Sequence, residues 1–347
     1  MENEIIQTAI RYPMLVSWEI IGYTATLKLP VYAVKLSDDV NRQESYEPSV
    51  VIIGQHHSEE PLGVEVSLHI LNRLAAAYNR YRFAKKTVNR FEIWIIPTLN
   101  PEGMSIVNSG KYFNKRENLS DTNFNGILEI EKDGVDLNRN YPFNWDTGNS
   151  KNSNIEEVFD FFTDSQFCVN DRYYRGPFPS SENEIVSITH FFDRIQPQLA
   201  IFYHSSISSL YAEKIFFPWK WGRIHSDNYH DMAFLASYLA ERLPKDYVDD
   251  EFYDPHFHNS SLSGFARDYV YHKNGTLSLN VEMGGIDSTG ASIVFPASNQ
   301  MANIKKKHYK AFTDLLEVFY DNLLSGKIEY KNKQLAALKP IFIEDEP

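Results

Sequence analysis

Three short segments of this chain hold residue types that can grip and polarise a substrate. Gly134 to Trp145 reads GVDLNRNYPFNW and places an acid, Asp136, just ahead of the pair Asn138 and Arg139. An amide beside a guanidinium is a forked donor set, and the guanidinium can hold a carboxylate through two parallel N–H bonds. Upstream, GQHHSEEPLG (Gly54 to Gly63) offers His57 and Glu60 with two residues between them. Downstream, FYHSS (Phe202 to Ser206) offers His204 at the end of an apolar run. Two imidazoles and one carboxylate are the protein ligands of a hydrolytic zinc site whose fourth position stays open. His56 and Glu59 repeat the spacing one residue earlier. The pair His57 and Glu60 is preferred because Glu60 directly precedes Pro61, a residue suited to a helix start.

His204 lies far down the chain from Glu60, so only a fold can bring these groups together. Val50–Ile53, Ile93–Ile96, Leu199–Tyr203 and Leu277–Val281 are short apolar runs bounded by polar turns, the pattern of buried parallel strands. Ile20–Leu27 and Val31–Lys35 suggest an antiparallel pair at one edge. Helices are expected over residues 61–78, from a capping box of Ser181 and Glu184 to Ile195, over 227–243 and over 302–324. Strands alternating with helices imply an α/β fold: a mixed, mostly parallel central sheet with helices on both faces. In such sheets functional groups collect where strands end and helices begin. His57 and Glu60 follow one strand, His204 another, and Glu282 ends a third.

Composition narrows the possibilities. The 347 residues show no linker, repeat or low-complexity block, and read as one unit over 1–325 with a tail over 326–347. Hydrophobic content of 43% and aromatic content of 14% suffice for a substantial core. A formal net charge of −12 argues against a nucleic-acid partner, which needs a basic face. No apolar run is long enough to span a membrane. Glu2, Glu4, Arg11 and Glu19 break any signal-peptide pattern, so a cytoplasmic protein is expected, or a mature form whose leader is not shown. The single Cys168 excludes an internal disulfide and reads as a small buried residue. Pairs such as Phe161–Phe162, Phe191–Phe192 and Phe216–Phe217 read as core.

The ordered motifs HSEEP, KRENL, GVDLNRN, GPFPSSENE (Gly176 to Glu184), YHS and SLNVEMG together resemble the zinc metallocarboxypeptidases of the carboxypeptidase A type. The resemblance runs from roughly Tyr12 to Leu324. It implies that His57, Glu60 and His204 hold one zinc ion and that Glu282 is the general base and acid. It further implies that Asn138 and Arg139 clamp the terminal carboxylate of a peptide, that Arg116 polarises the scissile carbonyl, and that Asp136 orients His57. The position similar to the floor of the family's specificity pocket is Arg267, where a cation favours an acidic terminal residue or the second carboxylate of diaminopimelate. A salt bridge from Arg267 to a local acid, such as Asp254 or Asp287, is the competing reading. The chain departs from the family at its substrate-closing tyrosine, whose place falls near Ser260, with His256 or His258 as substitutes. Two other functions are carried forward: an amidase acting on cell-wall peptides, and a binding module that keeps the fold without turnover.

Overall fold

The computed structural model describes residues 1–42, 46–146, 172–205, 211–221, 224–256, 264–285 and 293–328. Cys168, Phe161, Phe162, His258, Ser260, Asp287 and the tail from residue 329 onward lie outside the described residues. The described strands are β1 (Val16–Tyr23), β2 (Pro30–Leu36), β3 (Ser49–Ile53), β4 (Glu92–Ile96) and β5 (Leu199–Ser205). They continue with β6 (Lys214–Phe216), β7 (Lys220–Trp221), β8 (Ile224–His225), β9 (Asp254–Pro255) and β10 (Leu277–Met283). The helices are α1 (Glu2–Arg11), α2 (Leu62–Ala77), α3 (Arg82–Val88), α4 (Pro101–Asn108), α5 (Asn183–Ile195), α6 (Tyr229–Ala240), α7 (Ala266–Asn274) and α8 (Ser298–Leu324).

Eight strands form one sheet in the order β1-β2-β4-β3-β5-β10-β6-β9, and β7 with β8 forms a separate hairpin. The centre β4-β3-β5-β10 is parallel, β1 pairs antiparallel with β2, β2 with β4 and β6 with β10, and β9 lies parallel to β6. The mixed, mostly parallel sheet therefore matches the sequence pattern. Every residue of β3, β4 and β5 is buried, because helices cover both faces. Side chains from α2, α3, α6 and α8 pack with Leu277, Leu279, Val281 and Met283 on one face. Side chains from α5 and α7 pack with Ala200 and Phe202 on the other.

Three expectations shift in detail. His204 and Glu282 lie inside β5 and β10 rather than just beyond them. The capping box at Ser181 and Glu184 does not form: α5 starts after Glu182 with no side-chain cap, and Ser181 Oγ donates to Glu182 Oε1 at 2.7 Å instead. Glu184 is then free to sink into the core. The helices α1, α3, α4 and α7 carry no expectation from the sequence. Of these α4 has the plainest local cause, Pro101 at its first turn with the Asn100 side chain accepting from Gly103 N at 3.0 Å.

Beta10 shows why a strand can carry a catalytic group. Its apolar residues alternate with Ser278, Asn280 and Glu282, which lie on the α7 side of the sheet, as the period of two requires. The turn from β3 into α2 is as tight as glycine allows: a Cβ on Gly63 would sit 1.8 Å from Gly54 O. That close approach sets His57 and Glu60 directly over the end of β3.

Candidate metal centre and substrate site

His57 and Glu60 come from the β3–α2 turn and His204 from β5, and all three are buried. Their ligand atoms lie within 4.8 Å of one another. His57 Nδ1 is 2.8 Å from Glu60 Oε1, and His204 Nδ1 is 2.9 Å from Glu60 Oε2. The two Nδ1 atoms face each other at 3.1 Å. Two imidazole lone pairs converging beside a carboxylate are mutually repulsive until a proton or cation sits between them. An ion about 2.0–2.2 Å from each atom satisfies this donor set, whose two nitrogens and one oxygen suit zinc. The residues present therefore fit the metal.

The neighbouring groups hold this triangle in place. The other ring nitrogen of His57 is 3.1 Å from Asp136 Oδ1, which also accepts from Asn138 N at 2.9 Å. Arg116 Nε donates to Asp136 Oδ2 at 2.8 Å, and its Nη1 reaches Glu60 at 3.4 Å and Glu59 at 3.6 Å. Of the cations near that loop, Lys115 turns away to Glu117 (3.2 Å) and to the backbone oxygen of Asp133. The two His-Glu registers differ in their partners. His56 Nε2 contacts Tyr141 OH at 2.8 Å, and Glu59 pairs with Arg172 at 2.5 Å, so neither joins the triangle.

Glu282 stands beside His204 in the register of β5 and β10, on the same face of the sheet. Its carboxylate accepts from Asn280 Nδ2 at 3.0 Å. Burial, reinforced by the negative charge of Glu60, pushes its pKa up to about 7 in the metal-free protein. Burial also acts on Glu60, but the two imidazoles outweigh it and hold that carboxyl well below its ordinary range. Burial drives His204 down to about 4. His57, equally buried, is lifted instead by Glu60 and Asp136.

Arg139 occupies a different position from Arg116. It is buried, yet its Nε has no hydrogen-bond partner among the described residues. Its Nη1 donates to Asn138 O at 3.0 Å and stays 3.7 Å from Asp136. Gly264, at φ +63, lies against this backbone: a Cβ there would sit 2.0 Å from Arg139 O. Asn138 turns its amide to His204 Nε2 (3.3 Å) and to the backbone N–H of Ala266 (2.9 Å). Arg267 is 4% exposed and has Asp268 at 3.3 Å. Asp254 pairs with Lys245 instead, at 3.3 Å. Phe265 links the two cations, its ring centroid 4.5 Å from Arg139 Cζ and 5.2 Å from Arg267 Cζ.

Two tyrosines join the site with no spacing signal in the sequence. The Tyr173 ring lies 5.1 Å from Arg116 Cζ and 5.8 Å from Arg139 Cζ, spanning the two guanidiniums. Tyr211 packs 6.0 Å from Phe216, and burial raises its hydroxyl, with Arg139 pulling it down and Glu282 pushing it up. His256 reaches the same neighbourhood, 4.7 Å from the Phe216 ring.

Comparison with known proteins agrees with this geometry. The family model described as zinc carboxypeptidase matches residues 1–311. A zinc carboxypeptidase of Saccharothrix mutabilis subsp. capreolus is 31% identical over 144 residues, which cover 41% of this chain and 31% of that protein. Mast cell carboxypeptidase A of Rattus norvegicus is 22% identical over 264 residues, 75% of this chain and 57% of that protein. The chain thus spans under two thirds of the length of either relative. Among solved structures, carboxypeptidase A from Helicoverpa armigera shares the fold, with a TM-score of 0.73 at 18% identity, over 91% of this chain and 71% of that one. With a family match across nine tenths of its length, this chain belongs to the zinc carboxypeptidase family.

Proposed function

We propose that this protein is a metallocarboxypeptidase that releases the last residue of a peptide and prefers an acidic one. The observation that carries the reading is an adjacency: the His57–Glu60–His204 triangle, Glu282 in register with His204, and Arg139 with an unfilled hydrogen-bonding edge. Zinc held by His57, Glu60 and His204 would supply Lewis acidity, lowering the pKa of water towards about 7 and polarising a carbonyl. Glu282 takes a proton from the attacking water and returns it to the leaving amine. One carboxylate beside the attacking water can make both transfers. Arg116 offers its guanidinium to the negative charge that develops on the scissile carbonyl oxygen. Arg139, short of acceptors, binds the terminal carboxylate and limits cleavage to the last bond. Asp136 fixes the ring of His57 and the aim of Arg116 together. Asn138 braces His204 and the start of α7.

The preference rests on Arg267, a buried cation that shares the Phe265 ring with the carboxylate clamp. A glutamate side chain or the second carboxylate of diaminopimelate suits that position. The test is hydrolysis of peptides differing only in their last residue (Glu, Lys, Phe, diaminopimelate), with added zinc and with chelator. Chelator-sensitive release of the last residue, lost in Glu282→Gln, is expected. Arg267→Ala should lower kcat/KM on the Glu peptide at least tenfold while sparing Phe. Equal rates on all four peptides would remove the acidic preference, and release from none of them by zinc-loaded protein would sink the peptidase reading.

A further inference from the structure

We infer that His56 is a positioning residue for the metal centre: anchored by Tyr141, its ring is the wall against which His204 lies flat. The inference rests on the reading that His57, Glu60 and His204 hold zinc, and it adds a residue outside that triangle. The other two ligands are already fixed by hydrogen bonds. His57 has Asp136 on its far nitrogen at 3.1 Å, and Glu60 Oε2 accepts from Ser205 N at 3.0 Å. His204 has no such carboxylate behind it. Its far nitrogen, Nε2, meets only Asn138 Nδ2 among the described residues, at 3.3 Å.

That contact does not orient the ring once a metal is bound. Asn138 Oδ1 accepts from Ala266 N, so the group turned to His204 is the N–H₂, a donor. It bonds Nε2 only while Nε2 carries the lone pair and the ring proton sits on Nδ1. Nδ1 is the atom that faces His57 Nδ1 and Glu60, and a metal in the triangle takes its lone pair. The proton then belongs on Nε2, which finds a second donor there and no acceptor among the described residues. The chain supplies the direction of the His204 ring by packing instead.

His56 provides that packing. The ring centroids of His56 and His204 lie 5.3 Å apart with planes 13° from parallel, whereas His57 meets His204 at 48°. Phe202, two residues before His204 on the same face of β5, packs 5.8 Å from the His56 ring, and Tyr141 lies at the same distance. His56 is fully buried, and its backbone oxygen accepts from Asn100 Nδ2 at 3.2 Å. The ring itself has one hydrogen-bond anchor, Tyr141 OH at 2.8 Å from Nε2. Its Nδ1 is sealed from solvent with no partner among the described residues. Tyr141 is fully buried too, and its backbone N–H donates to Gly264 O at 3.2 Å, two residues beyond Arg139. One tyrosine hydroxyl thus ties the wall behind His204 to the segment that carries Arg139.

The test is zinc affinity of the full chain, read by competition with a chromophoric chelator, beside the d–d absorption of the cobalt-substituted protein. His56→Gln keeps an amide that can meet the Tyr141 hydroxyl but removes the flat ring. Its zinc affinity should fall about tenfold, and its cobalt bands should shift as the ligand geometry loosens. Tyr141→Phe removes a single oxygen and leaves both rings, so it carries the test even where the Gln variant folds poorly. A fall of roughly threefold is expected there, because the lost anchor stands one residue further from the ion. A residue that only fills the core would lower the urea stability of the metal-free protein and leave both metal readouts alone. Zinc affinities within about twofold of wild type in both variants, with unchanged cobalt bands, would therefore overturn the inference while the metal reading stands. A wild type that takes up no zinc would overturn the two together.

Discussion

Asp136→Asn is the substitution that most sharply tests how this site is held together. Asp136 is fully buried and serves donors with both oxygens: His57 Nε2 and Asn138 N on Oδ1, Arg116 Nε on Oδ2, with Arg139 at 3.7 Å. An asparagine keeps only one oxygen, so its N–H₂ must face either Arg116 or the His57 side. One charge-assisted hydrogen bond is lost, worth about 1.5–3 kcal/mol. Removing the acid from a buried ion pair costs about 3–5 kcal/mol in all, because the stranded cation stays desolvated. Arg116 keeps Glu60 and Glu59 at 3.4 and 3.6 Å, which holds the loss to the lower end, about 3 kcal/mol. Urea unfolding of the metal-free proteins measures it.

Zinc affinity, measured by competition with a chromophoric chelator, should fall by about 10–100-fold as the carboxylate that orients His57 becomes a neutral amide. The acid dependence provides an internal check. Burial raises the Asp136 carboxyl, but Arg116, Arg139 and His57 together hold it well below its ordinary value. Its contribution is therefore present above the unfolded carboxyl pKa of about 4 and lost as the pH falls below it. Asp136→Asn should narrow the stability gap to wild type in that acid range. A variant within about 0.5 kcal/mol of wild type at pH 7, with unchanged zinc affinity, would refute the reasoning.

Three further outcomes follow from the same geometry. Glu282→Gln should cost about 10²–10⁴ in kcat while zinc stays bound, read by steady-state kinetics and metal analysis. Because burial raises this carboxyl to about 7, the metal-free wild type loses stability as the pH rises from about 4 to 7, and the Gln variant should show a shallower loss. Tyr173→Phe keeps the ring across Arg116 and Arg139 but removes the hydroxyl, so a drop in kcat/KM of roughly tenfold would assign the phenol a contact with substrate; unchanged kinetics would confine Tyr173 to packing. Phe202→Ala, in the fully buried face of β5 beneath the site, should destabilise by about 3–5 kcal/mol in urea unfolding, and a loss under about 1 kcal/mol would contradict the packing described.

Much of this protein is written locally in its sequence. The apolar runs of β3, β4, β5 and β10 and the alternating helices specify a mostly parallel sheet, because strands covered on both faces are built largely from apolar residues. The candidate metal donors could be named as residue types, since two imidazoles and a carboxylate at strand ends are the ligand set of a hydrolytic zinc site. Tertiary structure decided what spacing could not. His56 and Glu59 share the spacing of His57 and Glu60, and the fold gives them other partners, Tyr141 and Arg172. Arg116 and Arg139 are alike in sequence, yet one is saturated by carboxylates and the other left short of acceptors. Glu282 acquires its raised pKa from burial and from the charge of Glu60 across the site. Those properties depend on burial and on charges far apart in the chain. They come into being only when the sheet closes and water leaves.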